Sequence, residues 1–187
     1  MPLVVGGPRR LVHALLSRAQ KEEWRLPPTA SLPDMVAERW SEQWGDEMIA
    51  AAEAAWTSAP PIDLSFAAAP NMEDWPEATP LAPLHLRLPR GRAVETLPGF
   101  AEGGWWVQDL AATLPARLLG QGEGRTVLDL CAAPGGKTMQ LAAAGWNVTA
   151  VDASAKRLER LTENLQRTDL AADVRKGDLM HWQPKEQ

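Results

Sequence analysis

One short segment, Asp129 to Thr138, constrains the fold of this chain more than any other part of its sequence. It reads Asp-Leu-Cys-Ala-Ala-Pro-Gly-Gly-Lys-Thr and directly overlaps the end of an apolar run, Thr126–Leu130. A glycine-containing turn between a strand and a helix is where doubly wound α/β sheets bind their ligands. Glycine suits such a turn because it lets the backbone approach a ligand closely. The segment therefore predicts a ligand site at the carboxyl end of a buried strand.

The residues around this segment predict a partial parallel sheet. The apolar run is the first strand, and the periodicity that follows alternates between helix and strand. The predicted elements are a helix at Gly135–Ala144, a strand at Trp146–Val151, a helix capped by Ser154 with Leu158, Leu161 and Leu165 on one face, and a weak strand at Ala172–Arg175. This β-α-β-α-β order is typical of a doubly wound α/β sheet.

A smaller module is predicted before the sheet. Helical periodicity runs through Arg9–Trp24, then from Ser31 to Trp56 with an interruption at Gly45. Alternating apolar and polar residues predict half-buried strands at 62–66 and 84–88, and the Pro-rich stretch 67–83 between them predicts a loop. An extended segment at Trp105–Val107 and a helix over Gln108–Leu119 lead into the first strand of the parallel sheet.

Two carboxylates lie at or just after the carboxyl ends of the second and third predicted strands. Asp152 ends the second strand of the sheet, and an acid there can accept hydrogen bonds from both ribose hydroxyls of a nucleoside cofactor. Asp178 follows the third strand, where it is placed to contact the edge of an adenine ring. A phosphate-binding Walker loop needs glycine where Cys131 stands, and the dinucleotide fingerprint Gly-x-Gly-x-x-Gly is absent. In a methyltransferase loop Asp-x-Gly-x-Gly-x-Gly, Cys131 and Ala133 replace the first two glycines and Gly135 keeps the third.

Composition restricts the classes of function. A net charge of −5 argues against a protein that coats nucleic acid, although two basic clusters, Arg9–Arg25 and Arg87–Arg92, leave room for a local basic face. The single cysteine excludes an internal disulfide and a multi-cysteine zinc site, and the three histidines lack metal-ligand spacing. No apolar run is long enough to cross a bilayer and no secretory signal begins the chain, so a cytoplasmic location without membrane or metal partners is expected.

The ten residues Asp129–Thr138 resemble the cofactor loop of the RsmB/Sun-type RNA (cytosine-5) methyltransferases. The segment Trp106–Ala112, with its Val-Gln-Asp sequence, is similar to the one that precedes the cofactor site in this family, and Ser31–Asp34 resembles the start of its substrate-side module. The resemblance implies a Rossmann-like class I methyltransferase fold that uses S-adenosyl-L-methionine (SAM). It also implies an RNA substrate, with the small-subunit ribosomal RNA as the expected one, and a monomeric protein when complete.

The resemblance implies roles for individual residues. Seven consecutive residues would line the methionine and ribose part of SAM: Cys131, Ala132, Ala133, Pro134, Gly135, Gly136 and Lys137. Asp152 would hold the ribose hydroxyls, Arg157 would lie near the cofactor, and Asp178 would approach the adenine. A helix-start role for Lys137 and a purely structural role for Asp129 remain open alternatives.

The resemblance also implies that the catalytic half lies elsewhere. In this family a cysteine thiolate attacks carbon 6 of cytosine, which makes carbon 5 nucleophilic, and a second cysteine assists release of the product. Both cysteines are expected beyond Gln187. We therefore expect no catalytic residue within this chain and no activity from it alone. The expected division is 1–28, the tail of a helical RNA-binding domain; 29–102, a small α+β RNA-recognition-like module; and 103–187, the first half of the SAM-binding domain. The alternatives are a non-catalytic RNA-binding or ribosome-assembly protein and, less favoured, an NTPase.

Overall fold

The computed structural model describes residues 8–25, 30–57, 60–89 and 93–183. The chain divides into two compact units, residues 1–59 and 60–187. The three-part division predicted from sequence stays a prediction. The described residues of the first unit form three helices, α1 (Pro8–Lys21), α2 (Asp34–Trp44) and α3 (Asp46–Thr57). The prediction that the first helix reaches Trp24 is wrong, whereas Gly45, at φ +83°, separates α2 from α3 as expected.

A four-stranded antiparallel sheet opens the second unit. Its strands are β1 (Ile62–Phe66), β2 (Thr79–Ala82), β3 (His85–Leu88) and β4 (Trp105–Val107), in the order β2-β3-β1-β4. The prediction of a loop throughout 67–83 is wrong at its carboxyl end, where β2 forms. Pro80 does not prevent this because β2 is an edge strand, where a missing backbone N–H removes no central hydrogen bond.

Most polar side chains of β1 and β3 are buried, so the prediction of half-buried strands is wrong. Asp63, Ser65 and His85 are buried, whereas the Arg87 side chain is partly exposed. Asp63 accepts hydrogen bonds from Arg87 Nε (2.7 Å) and Nη2 (2.9 Å) and from the backbone N–H of Leu110 (3.1 Å), and Ser65 Oγ lies 3.0 Å from His85 Nδ1. These contacts explain the burial, since buried polar groups are stable only when hydrogen-bonded.

Two pKa values respond to this arrangement. Hydrogen bonds from the Arg87 guanidinium hold the pKa of Asp63 below its ordinary value. Burial lowers the pKa of His85, because its charged form is poorly solvated there, although the neighbouring Asp63 opposes the shift. His85 is therefore neutral at physiological pH.

A parallel sheet with its helices completes the second unit and confirms the predicted α/β class. Helix α4 (Leu110–Leu119) leads into β5 (Thr126–Leu130), followed by α5 (Gly136–Ala143), β6 (Asn147–Asp152), α6 (Ala155–Thr168) and β7 (Asp173–Lys176). The strand order is β5-β6-β7, with parallel pairing throughout. Ser154 caps α6 as predicted, since its side chain accepts a hydrogen bond from the backbone N–H of Arg157.

Strand β4 connects the cores of the two sheets. Successive strand residues point to opposite faces, and accordingly Trp105 packs into the core of the antiparallel sheet while Trp106 packs with Ala133 and Leu161 of the α/β part. Arg167 near the end of α6 strengthens this junction by donating hydrogen bonds to the carbonyl of Trp105 (3.0 Å) and that of Phe100 (2.9 Å). Strand β4 and helix α6 thus hold the antiparallel sheet and the α/β part together.

Candidate functional site

The predicted ligand turn is a compact loop, residues 131–135, here called the β5–α5 loop. Cys131 and Gly135 adopt positive φ angles of 62° and 107°, and the Ala133–Pro134 peptide bond is cis. The backbone N–H of Gly135 donates to the carbonyl of Ala132 (2.8 Å), while the N–H of Ala132 donates to the carbonyl of Val151 in β6 (3.0 Å). The loop is therefore closed on itself and attached to the neighbouring strand.

Side chains of the predicted ligand segment point in two directions. Cys131, Pro134 and Lys137 are exposed, and Gly136 is half-buried. Ala132 and Ala133 are buried in the core beside Trp106. The methyl groups of the two alanines therefore do not face a ligand in front of the loop.

Asp152 lies at the same end of the sheet as the loop. Its Oδ2 accepts a hydrogen bond from the backbone N–H of Ala133 (3.2 Å), and its Oδ1 accepts one from that of Ser154 (2.9 Å). The side chain is 4% exposed. Each carboxylate oxygen can accept more than one hydrogen bond, so the group keeps acceptor capacity for a ligand hydroxyl. The structure therefore joins the two elements that the sequence singled out.

Asp178 follows β7 at this same edge. The backbone N–H of its neighbour Gly177 donates to the carbonyl of Asp152 (3.1 Å), which ties the ends of β6 and β7 together. The Asp178 carboxylate is exposed, and its Oδ1 accepts a hydrogen bond from the backbone N–H of Met180 (3.0 Å). Asp178 is thus available to a ligand lying across the carboxyl ends of the strands.

Arg157, in the first turn of α6, contacts both the β5–α5 loop and Asp152. Its Nη2 donates a hydrogen bond to the carbonyl of Ala133, and its Nη1 lies 3.5 Å from Oδ2 of Asp152. The guanidinium links the loop to the strand-end acid, while about half of the side chain (54%) remains exposed. Arg157 can therefore face a ligand and support the loop at the same time.

Asp129 has a structural partner behind the loop. Its Oδ2 accepts a hydrogen bond from Thr138 Oγ1 at 2.6 Å, and both residues are buried. Burial raises the pKa of Asp129, although the Thr138 hydrogen bonds and the charge of Lys137 oppose the shift. The contact joins the end of β5 to the first turn of α5, in keeping with the structural alternative for Asp129.

Sequence reasoning missed a contact between α6 and the β5–α5 loop. Asn164 Nδ2 donates a hydrogen bond to the carbonyl of Pro134 at 3.0 Å. Leu161, one turn earlier, packs against Gly135 so closely that a Cβ at that glycine would lie 3.1 Å from Leu161 Cγ. The available signal was the spacing of Arg157, Leu161 and Asn164, which places all three on one helical face.

A cavity of about 280 Å³ lies between the end of β1, the β2–β3 turn and the ends of α4 and α5, and none of the predicted ligand residues lines it. Within the described ranges, no three His, Cys, Asp or Glu side chains are grouped to hold a metal ion. No helix in the same ranges has the length and apolar character that a membrane span requires.

A family model described as 16S rRNA methyltransferase RsmB/F matches residues 116–186. The matched span includes the β5–α5 loop, Asp152 and Asp178. Over these residues the chain is similar to the RsmB/F methyltransferase family. This match confirms the resemblance inferred from Asp129–Thr138.

Curated relatives agree with the match to the family model. The chain is 50% identical over 95 residues to the ribosomal RNA small subunit methyltransferase B of Erwinia tasmaniensis, a match that covers 50% of this chain and 22% of the relative. It is 55% identical over 84 residues to the protein of the same name from Pseudomonas putida, covering 43% of this chain and 19% of the relative. The matched region thus spans about a fifth of the length of these RsmB/F relatives.

Solved structures support the fold of the chain. The crystal structure of PH0851 superposes with a TM-score of 0.73 at 22% identity, covering 91% of this chain and 45% of the other. A methyltransferase homologue from Pyrococcus horikoshii gives a TM-score of 0.67 at 21% identity, covering 90% and 57%. Both matches extend well before residue 116, so the shared fold includes more than the part that the family model matches.

Proposed function

We propose that this chain is the cofactor-binding part of a SAM-dependent RNA methyltransferase that acts on carbon 5 of cytosine, with small-subunit ribosomal RNA as substrate. The observation that carries the proposal is the position of the β5–α5 loop beside Asp152, joined through the hydrogen bond from Ala133 N–H to Asp152 Oδ2 at 3.2 Å. A second support is the name of the relatives, ribosomal RNA small subunit methyltransferase B.

The donor and acceptor set at the sheet edge fits SAM. Bound SAM supplies an electrophilic methyl group on a sulfonium sulfur. Asp152 would accept hydrogen bonds from the ribose hydroxyls, Asp178 would contact the adenine edge, and residues 131–137 would adjoin the ribose and methionine. Arg157 would stand beside the cofactor while keeping its hydrogen bond to Ala133. These roles suit a nucleoside with vicinal hydroxyls, because a carboxylate is an acceptor-only group that such hydroxyls can donate to.

No catalytic role is proposed for Cys131. It belongs to the β5–α5 loop, and its φ of 62° places it at the turn that leaves β5. Together with the residues that follow it up to Lys137, it would adjoin the cofactor. A thiolate that attacks cytosine must instead approach the base in the substrate site. We propose that the attacking and release-assisting cysteines lie outside these 187 residues, as in the family that the chain resembles.

We propose RNA as the macromolecular partner of a protein that is monomeric when complete. Helix α1 supports an RNA contact because it contains Arg10, Arg18 and Lys21 and no acidic residue. Arg87, by contrast, is neutralised by Asp63, and Arg90 and Arg92 lie outside the described residues. We also propose that residues 29–102 form the substrate-side module and that residues 1–28 end a helical RNA-binding domain.

Calorimetric titration of the full chain with SAM tests the cofactor part of this proposal. We expect binding by the wild-type chain and weaker binding by Asp152→Asn, which replaces one acceptor oxygen by a donor. Asp173→Asn is the matched control, because Asp173 begins β7 and so lies at the opposite end of the sheet. Saturation with ATP but not with SAM would overturn the proposal in favour of an NTPase.

Methyl transfer tests the activity. The protein, expressed with any coding sequence that adjoins this chain in its gene, is incubated with ribosomal RNA and SAM that bears a labelled methyl group. Nucleoside analysis should then detect 5-methylcytidine in the small-subunit RNA. Binding of RNA and SAM without transfer of label would contradict the enzyme and favour the non-catalytic RNA-binding alternative.

A further inference from the structure

We propose that Asn164 is a positioning residue that fixes the β5–α5 loop for cofactor binding. The proposal rests on the proposed function, since it concerns the geometry of the same SAM site. Asn164 does not itself reach the sheet edge: its side chain acts through the carbonyl of Pro134, to which Nδ2 donates at 3.0 Å. No role for this residue followed from the motif around Asp129.

One face of α6 holds three consecutive loop residues. Arg157 donates to the carbonyl of Ala133, Asn164 donates to the carbonyl of Pro134, and Leu161 packs against Gly135. The three α6 residues are spaced i, i+4 and i+7, which places them in one row along the helix. Each of these three α6 residues therefore contacts a different residue of the loop, and Asn164 is the last of the three along the helix.

Pro134 is the loop residue that most needs an outside partner. Proline has no backbone N–H, so its carbonyl is the only main-chain polar group through which it can be held. Its ring is exposed, while Ala133 before it and Gly135 after it are buried. A donor on the Pro134 carbonyl therefore restrains an exposed loop residue that lies between two buried ones.

The residue type at position 164 supports a specific contact. Asparagine in a helix interior costs stability relative to alanine, because its side chain competes for backbone hydrogen bonds. Asn164 lies inside α6, and its amide is used on a carbonyl 30 residues away in sequence instead of on its own helix. The presence of asparagine at position 164 is therefore better explained by its contact with the loop than by a contribution to the stability of α6.

Two substitutions separate a donor role from simple space filling. Asn164→Ala removes the amide and favours the helix, so α6 should still form. Asn164→Asp keeps the shape but directs a negative carboxylate at the Pro134 carbonyl. If Nδ2 positions the loop, the dissociation constant for SAM should rise about fivefold in Asn164→Ala, as for the loss of one neutral hydrogen bond, and further in Asn164→Asp.

The matched control is Gln166→Ala, which removes an exposed amide on the same helix. It should bind SAM as the wild type does. Circular dichroism and thermal unfolding of all three variants should show that α6 is retained. If Asn164→Asp binds like the wild type while Asn164→Ala is weakened, only volume matters at this position and the donor role is overturned.

Hydrogen exchange in the absence of ligand gives a second readout. The N–H of Gly135 is bonded to the Ala132 carbonyl within the loop, so a loosened loop should exchange this amide faster in both Asn164 variants and at the wild-type rate in Gln166→Ala. Equal exchange rates and equal SAM affinities in wild type and both Asn164 variants would overturn this inference alone. Failure of the wild-type chain to bind SAM would instead overturn the proposed function.

Discussion

Replacing Asp63 by asparagine should destabilise the unit formed by residues 60–187. The Asp63 carboxylate accepts Arg87 Nε on Oδ1, and Arg87 Nη2 and the Leu110 N–H on Oδ2. Asparagine retains one acceptor, so its amide nitrogen must face at least one of these donors. Loss of a hydrogen bond to a charged partner costs about 1.5–3 kcal/mol. Because the Arg87 side chain is 40% exposed, solvent screens part of the loss, and we expect about 2 kcal/mol.

Urea unfolding followed by tryptophan fluorescence measures this difference. The control is Asp173→Asn, which breaks an ion pair of similar length, 2.8 Å from Arg175, in which both side chains are 50% exposed. Exposed pairs contribute about 0–1 kcal/mol, so the control should lose less than Asp63→Asn. Equal losses in the two variants would refute the argument that burial of the Asp63 carboxylate makes its contacts matter.

The same comparison has a defined pH dependence. The folded pKa of Asp63 is lowered by Arg87, so its ionised form contributes stability above the unfolded pKa of about 3.9, and this contribution is lost as pH falls through the folded pKa. The difference between wild type and Asp63→Asn should therefore be constant near neutral pH and shrink in acid. A difference that does not change with pH would show that the carboxylate charge has no role.

Two further predictions concern the α/β part. Gly103→Ala should cost about 2–5 kcal/mol, because Gly103 has a positive φ and a Cβ there would also overlap the Arg167 carbonyl oxygen. Gly124→Ala should cost about 1–2 kcal/mol, because Gly124 has a positive φ but open space around it. Urea unfolding midpoints measure the difference between the two variants. Asp129→Asn should match or exceed the wild-type stability at neutral pH, because burial raises the pKa of Asp129 and so opposes its ionised form there. That gain should disappear in acid. Thr138→Val, which removes the hydroxyl that donates to the buried Asp129 carboxylate, should lose about 1–3 kcal/mol in the same assay.

Short-range patterns were sufficient to predict the parallel sheet. The strand Thr126–Leu130, the Ser154 cap and the break at Gly45 were predicted correctly, because each depends on residues a few positions apart. Strand β2 was missed because Pro80 disfavours a strand, and pairing with β3 at the edge of the sheet makes the segment extended. Edge strands of this kind are decided by their partner and not by their own sequence.

The candidate site divides in the same way. Its location could be predicted because a glycine-containing turn after one strand and an acid after the next must meet at the same edge of a parallel sheet. The sequence did not reveal that Ala132 and Ala133 face the core, or that Arg157 is bonded to the loop. Those features depend on how α6 and β4 pack against the loop, which no local pattern reports.

By itself, the sequence determined the glycine-containing turn, the two strand-end acids and the order of strands and helices around them, since these follow from residue type and local periodicity. Only the tertiary structure decided the burial of the Asp63, Ser65 and His85 cluster and the hydrogen bond from Asn164 to Pro134. Asp63 and Arg87 are 24 residues apart in sequence, and Asn164 and Pro134 are 30 apart. The periodicity of a sequence does not identify which distant residue a polar side chain will contact. These contacts form only when packing of the core brings the strands and helices together.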